Sequence, residues 1–360
     1  MIQNPAVRVK SHLISLRRDE ASSSMASKQR SRAAIGRKVT AASGDRQILA
    51  QRLLAWYDEN RRDLPWRKDR NPYRVWLSEI MLQQTRVAAV LEHYRRFLKK
   101  FPTVQRLAAA RESSVLAAWS GLGYYRRARM LHAAAKVVVS QFEGKFPNRR
   151  GALQQLPGIG RYTSAAIASI AYDEPVAVVD GNVERVLQRF TGKHVKGDRV
   201  WQIAESLLDP QRPGDFNQAM MELGATVCLP RQPKCLLCPV SALCVSRGEL
   251  KISQAASRQH KREIRLALTR RNDEVWLVQR GNNESLMPGM WELPEFTPDD
   301  ASGNALLSLR HSITVTDYSV HVFETSKTEN PAGKWVPVSR LASLPLTGLA
   351  RKILRRVAAM

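Results

Sequence analysis

The chain reads as a mostly α-helical protein that closes with a small α+β domain. Three observations predict this. Apolar residues recur at helical spacing from Arg46 to about Ser246, and glycine and proline divide that stretch into helices of ordinary length. Beyond Glu263 the texture changes to short alternating, β-rich runs. A chain of 360 residues is long enough for two or three domains with cores of their own.

Residues 1–44 are rich in Ser, Ala, Arg and Lys, hold only Asp19 and Glu20 as acids, and show no sustained periodicity. They are expected to form a disordered basic tail. The same composition fits an organelle transit peptide, and Met25 is a second candidate start. A helical domain is expected over 45–250, in which Ile48, Leu49, Leu53, Leu54 and Tyr57 mark one amphipathic helix and Ala165 to Ala171 lie in another. Breaks fall at Pro102, Gly121 to Gly123, Gly144, Pro147, Pro157 to Gly160 and Gly181. Residues 251–263 read as a polar, basic linker. In the domain expected over 264–360, strands are placed at Ile264 to Thr269, Glu274 to Arg280 and Tyr318 to Glu324, with a closing helix near Leu349 to Val357.

Charge narrows the partner. Lys and Arg total 57 against 32 Asp and Glu, a formal +25, which suits a polyanion such as nucleic acid, with an anionic membrane surface as the rival. No run of about 18 apolar residues occurs and no apolar core follows the N-terminus, so a soluble intracellular protein is expected.

All four cysteines form one cluster, Cys228-x6-Cys235-x2-Cys238-x5-Cys244, with none elsewhere to pair with them. This favours a metal site over disulfides: four thiolates on short loops can hold a four-iron cluster or one tetrahedral zinc. Arg231, Lys234 and Arg247 are expected to offset their charge. A second motif, Leu156-Pro157-Gly158-Ile159-Gly160, precedes the Ala-rich helix. The amides of Gly158 and Gly160 can face a phosphate at a helix N-terminus, although the same residues make an ordinary helix-helix turn. Third, Asp180 precedes the helical run Val183 to Phe190 and reads first as an N-cap. Glu79 is a carboxyl in an otherwise apolar helix, followed one turn on by Gln83, Gln84 and Thr85.

Hairpin, downstream aspartate and cysteine spacing together resemble the endonuclease III superfamily of helix-hairpin-helix glycosylases, whose cysteines bind a [4Fe-4S] cluster. Within it, Leu64-Pro65-Trp66-Arg67, the segment Ser78 to Thr85, Gly121-Leu122-Gly123-Tyr124-Tyr125 and Asp180-Gly181-Asn182-Val183 look like the adenine DNA glycosylase, or MutY, family. The resemblance implies that Cys228, Cys235, Cys238 and Cys244 hold the cluster. It makes Glu79 the general acid that protonates adenine toward N7, with a pKa raised by desolvation, and Asp180 the anion that offsets an oxocarbenium-like sugar. Bifunctional members carry a lysine after the hairpin. Tyr162 stands there instead and cannot form a Schiff base, so a monofunctional enzyme is implied, with Tyr162 tuning Asp180.

By the same resemblance Gln84 and Tyr124, with Thr85 and Leu122 beside them, wedge the duplex, Arg67 lines the adenine pocket, and Gly158, Gly160 and Asn182 contact DNA. The partner implied is double-stranded DNA with adenine opposite 8-oxoguanine or guanine, bound by a monomer. The segment Leu286 to Pro294 resembles the start of the family's Nudix-like domain, which reads 8-oxoguanine; its acidic catalytic box is absent, so no pyrophosphatase activity is expected. Where the family has Phe-Ser-His, this chain has Ile313-Thr314-Val315, leaving the hydroxyl of Thr314 as the polar contact.

Overall fold

The structure is a computed structural model that describes residues 43–248, 250, 260–281, 283–284, 286–295, 304–313, 315–326, 328 and 333–357. Most of the basic tail, with Met25, most of the linker and Thr314 lie outside the described residues. In chain order the helices are α1 (Ser43–Asn60), α2 (Pro72–Leu82), α3 (Val87–Lys100), α4 (Val104–Ala108), α5 (Glu112–Trp119), α6 (Arg126–Gln141) and α7 (Arg150–Leu153). They continue as α8 (Arg161–Tyr172), α9 (Gly181–Thr191), α10 (Asp198–Leu207), α11 (Pro213–Thr226) and, after the strands, α12 (Gly348–Arg356). The described residues fall into two compact units, those within 1–62 and 175–252, and those within 63–174 and 253–360.

The first unit packs α1 with α9, α10 and α11 around Leu53, Tyr57, Leu187, Phe190 and Leu223. Leu49, Leu53 and Tyr57 follow one another at four-residue spacing and are all buried, whereas Ile48 is 40% exposed and leaves the apolar stripe expected of it. Polar bonds fix the ends of these helices. Glu222, buried in α11, accepts from Arg62 Nε at 2.7 Å, Arg62 Nη2 at 2.8 Å and the Arg62 backbone N–H at 3.2 Å. Arg212, ahead of α11, holds Asp58 of α1 and Asp215 together.

In the second unit α2 to α8 enclose an aromatic core, in which Phe97 meets Trp119 at 6.0 Å and Trp76 meets Phe146 at 5.2 Å, both edge to face. Among the described residues its C-terminal part contains two sheets. In one, β6 (Thr316–Glu324) lies between β1 (His260–Leu268), to which it is parallel, and β5 (Leu307–Ile313), to which it is antiparallel. In the other, β3 (Glu274–Gln279) pairs antiparallel with β2 (Arg270–Arg271), β4 (Trp291–Glu292) and β7 (Gly333–Pro337). Strands β5 and β7 were not expected: β7 is short and mixed, and β5 alternates in burial but His311 interrupts its apolar face. Helix α12 closes this core with Ile353 and Leu354 fully buried. Within the unit, the Leu346 carbonyl accepts from Ser120 Oγ at 2.7 Å and Tyr125 Oη at 3.1 Å, and Arg351 Nε donates to Ser120 Oγ at 2.8 Å.

Candidate active site

Helix α2 starts where Asn71 caps it, its side chain accepting from the amides of Tyr73 and Arg74, with Pro72 in the first turn. Trp76, Leu77, Ile80 and Met81 bury this helix, and Glu79 is buried with them at 6% exposure. A carboxyl in that setting needs a polar partner. It has one: Tyr162, in the first turn of α8, donates its hydroxyl to Glu79 Oε2 at 2.6 Å. The next residue of α8 extends the contact, since Thr163 Oγ1 accepts from Gln83 Nε2 at 3.3 Å. The two segments singled out in the sequence, one around Glu79 and one after the hairpin, are thus brought together.

The hairpin needs its first glycine twice over. Gly158 has φ +73°, and a Cβ there would lie 2.5 Å from Met130 Cβ. Gly160 differs: as the N-cap of α8 it is extended at φ −90°, with nothing within 4 Å of an added Cβ, so its role is not conformational. Gln84 and Tyr124 are both exposed and both left-handed, at φ 56° and 48°. Thr85 is half-buried and Leu122 buried, so of the two loops it is Gln84 and Tyr124 that face outward. Arg67 ends a short 3-10 turn, Pro65–Arg67, and is half-buried. One residue here escaped sequence reading. Arg127 bonds to both loops, and nothing in its spacing signals it.

In the first unit Asp180 caps α9 as its position suggested: Oδ1 accepts from the Val183 amide at 2.7 Å and Oδ2 from Asn182 Nδ2 at 2.9 Å. The bonds continue. Asn182 Oδ1 accepts from Arg185 Nη2 at 2.8 Å, and Arg185 also donates to the Gly224 carbonyl at 2.8 Å and the Cys228 carbonyl at 3.0 Å. Gly224 is what lets α11 approach, because a Cβ there would stand 2.7 Å from Asn182 Cβ.

The four cysteines lie on a loop with two short 3-10 turns and are all free and half-buried. The arginine that reaches a thiol is Arg189, whose Nη1 donates to Cys228 Sγ at 3.5 Å and to the Leu229 carbonyl at 2.6 Å; it was not among the basic residues expected to do so. Its own carbonyl accepts from Cys244 Sγ at 3.4 Å. Gly248 passes so close that a Cβ would lie 2.9 Å from Cys235 Sγ. Burial pushes the Cys238 thiol up to about 11, and the charges of Cys244, Cys228 and Cys235 add to the rise. Four thiolates that repel one another suit a cationic core, so the donor set fits a metal group. Among the described residues no three His, Cys, Asp or Glu side chains are gathered closely enough to hold a single metal ion.

At the C-terminal end, Ile313 closes β5 and lines a cavity of about 140 Å³ with Arg262, Tyr318, Met287 and Glu292. Val315 is 45% exposed, and its carbonyl accepts from the His260 amide at 2.8 Å.

Comparison with known proteins agrees with this fold. Residues 77–210 match the HhH-GPD superfamily base excision DNA repair protein model. A solved thermostable thymine-DNA glycosylase superposes with a TM-score of 0.54 at 32% identity, covering 57% of this chain and 97% of that one. The adenine DNA glycosylase of Rattus norvegicus is 53% identical over 208 residues, 53% of this chain and 40% of the relative. That of Arabidopsis thaliana is 39% identical over 319 residues, 75% of this chain and 50% of the relative. The chain therefore spans half or less of the length of these two curated relatives. Fold and site define a helix-hairpin-helix protein of the HhH-GPD superfamily. Within that superfamily, the curated relatives it is similar to are adenine DNA glycosylases.

Proposed function

We propose that the protein is a monofunctional DNA glycosylase that hydrolyses the N-glycosidic bond of adenine mispaired with 8-oxoguanine or guanine. The observation that carries this reading is the buried Glu79 carboxyl bonded at 2.6 Å by a tyrosine, Tyr162, that stands where a Schiff-base enzyme would need an amine. The C1′–N9 bond breaks with its electron pair going to the base, and an adenine anion is a poor leaving group. Glu79 gives its proton to N7, so adenine departs neutral. Asp180 supplies the negative charge that stabilises the cationic sugar, its orientation fixed by Val183 and Asn182. Water adds at C1′ and loses a proton, which restores the balance.

Cys228, Cys235, Cys238 and Cys244 would hold a [4Fe-4S] cluster, whose irons would take the four thiolates as ligands. The cysteine spacing and the family support this assignment. Arg67, Gln84, Thr85, Leu122, Tyr124, Gly158, Gly160 and Asn182 contact the duplex, and the formal charge of +25 favours that polyanion. Residues 264–360 form a Nudix-like domain that reads the opposite base, with Thr314 as its polar contact. The enzyme acts as an intracellular monomer on DNA. Among the described residues no helix is long and apolar enough to cross a membrane. The test is single-turnover base release from duplexes with adenine opposite 8-oxoguanine, guanine, cytosine and thymine, and with thymine opposite guanine. Adenine release that is fastest opposite 8-oxoguanine supports the reading; release of thymine instead would assign a different substrate.

A further inference from the structure

Arg127, in the first turn of α6, makes an unusual set of bonds. Its Nη1 donates to the carbonyls of Ile80 at 2.9 Å, Met81 at 3.0 Å and Gln83. Its Nη2 donates to Thr85 Oγ1 at 3.1 Å and to the carbonyls of Leu122 at 3.3 Å and Gly123 at 3.2 Å. The guanidinium also lies 5.5 Å from the Trp119 ring centroid and 5.4 Å from that of Tyr124. These hydrogen-bond partners are all neutral, and none is a carboxylate. Burial lowers its pKa to about 10, which leaves it a cation at neutral pH. A desolvated cation without an acid is costly, so its partners must need what it supplies. They do, because three of them are carbonyls at the C-terminal end of α2, where the helix dipole favours positive charge.

The clamp coincides with strain. Gln84 and Tyr124 both hold left-handed backbone, which costs a residue with a Cβ and persists only where the surroundings over-determine it. Arg127 bonds to the residues on either side of Gln84 and to the carbonyl just before Tyr124, whose ring it also touches. One guanidinium therefore sets the two backbone reversals that aim both side chains outward. We propose that Arg127 is a positioning residue that locks the Gln84 and Tyr124 loops into a single rigid wedge for duplex DNA. The inference rests on the function proposed above, which gives those two loops their partner. Lysine cannot replace it, because an ammonium lacks the planar fork that spans acceptors on two loops.

The test compares the full chain with Arg127→Lys, Thr85→Val, Tyr124→Ala and the double variant Arg127→Lys/Tyr124→Ala. A fluorescent base analogue beside the mispair reads unstacking on binding, single-turnover assays read adenine release, and a matched duplex reads general affinity. Arg127→Lys should weaken the unstacking signal and slow release by about tenfold to a hundredfold, the scale set by misplacement of about 1 Å away from the chemistry. Matched-duplex affinity should hold, and Arg127→Lys should add nothing once Tyr124→Ala has removed the wedge. Thr85→Val removes one acceptor without stranding a charge and should weaken the unstacking signal more mildly than Arg127→Lys. If Arg127→Lys does not fold, the unstacking signal of Thr85→Val decides. An undiminished unstacking signal in either variant, effects that add in the double variant, or matched-duplex affinity falling in step in Arg127→Lys would each overturn the proposal. Absence of adenine release by the parent would instead sink the function, while the unstacking comparison still tests this role.

Discussion

Gly224→Ala sets two effects against each other. In the interior of an exposed helix the change would stabilise by up to about 1 kcal/mol through propensity. Here the new methyl would stand 2.7 Å from Asn182 Cβ, 3.1 Å from its carbonyl oxygen and 3.2 Å from its carbonyl carbon. Carbon atoms rest at about 3.5 to 4.0 Å, so α11 and the start of α9 must separate by roughly 1 Å. Overpacking of that kind costs about 1 to 3 kcal/mol, which outweighs the propensity gain. The displaced residue is the one that bonds Asp180 Oδ2 at 2.9 Å, so the carboxylate moves with it. A shift of about 1 Å costs on the order of a hundredfold in rate. Thermal unfolding and single-turnover adenine release, measured with enzyme in excess, check both parts. A variant that melts at or above the parent and releases adenine at the parent rate would refute the reasoning, because it would show that the contact yields freely.

Other outcomes follow from the same geometry. Protein purified without oxygen should contain about four irons and four sulfides per chain by metal and sulfide analysis, with the visible absorption of a cluster; stoichiometric zinc would contradict it. Borohydride should trap little or no enzyme-DNA adduct on denaturing gels, since Tyr162 offers no amine; strong trapping would mean another amine serves. Burial, reinforced by Lys136, holds the His132 pKa below its ordinary value, so the native state disfavours its cation. Stability from this group is therefore complete above about pH 6.5 and declines as pH falls below it. Melting curves between pH 7 and 5 should show a decline that His132→Leu reduces.

Much of the candidate site was legible because its chemistry is local. Asp180 announced its cap by standing just before a helical run, and the structure bonds it to Val183 as that position requires. Glu79 stood out as a charge within apolar periodicity, and it is buried. The glycine of the hairpin was readable for the same reason, although only Gly158 uses its freedom. What stayed hidden depends on pairing between distant segments. Arg127 looks like any arginine after two tyrosines, and its partners begin more than forty residues earlier with Ile80. Arg189 lies in a helix 39 positions before the cysteine it contacts, while the basic residues beside the thiols drew attention to themselves. Strand β5 carries its alternation on only three apolar residues, Leu307, Leu309 and Ile313, and is completed by its register with β6.

The central claim is that Glu79 supplies the proton that lets adenine leave. Glu79→Gln keeps the shape and can still accept from Tyr162, but it has no proton to give. Single-turnover release from adenine opposite 8-oxoguanine, with binding to the same duplex measured in parallel, tests this most directly. The account predicts that base release is abolished in Glu79→Gln while duplex affinity is kept; adenine release at the parent rate by that variant would contradict it.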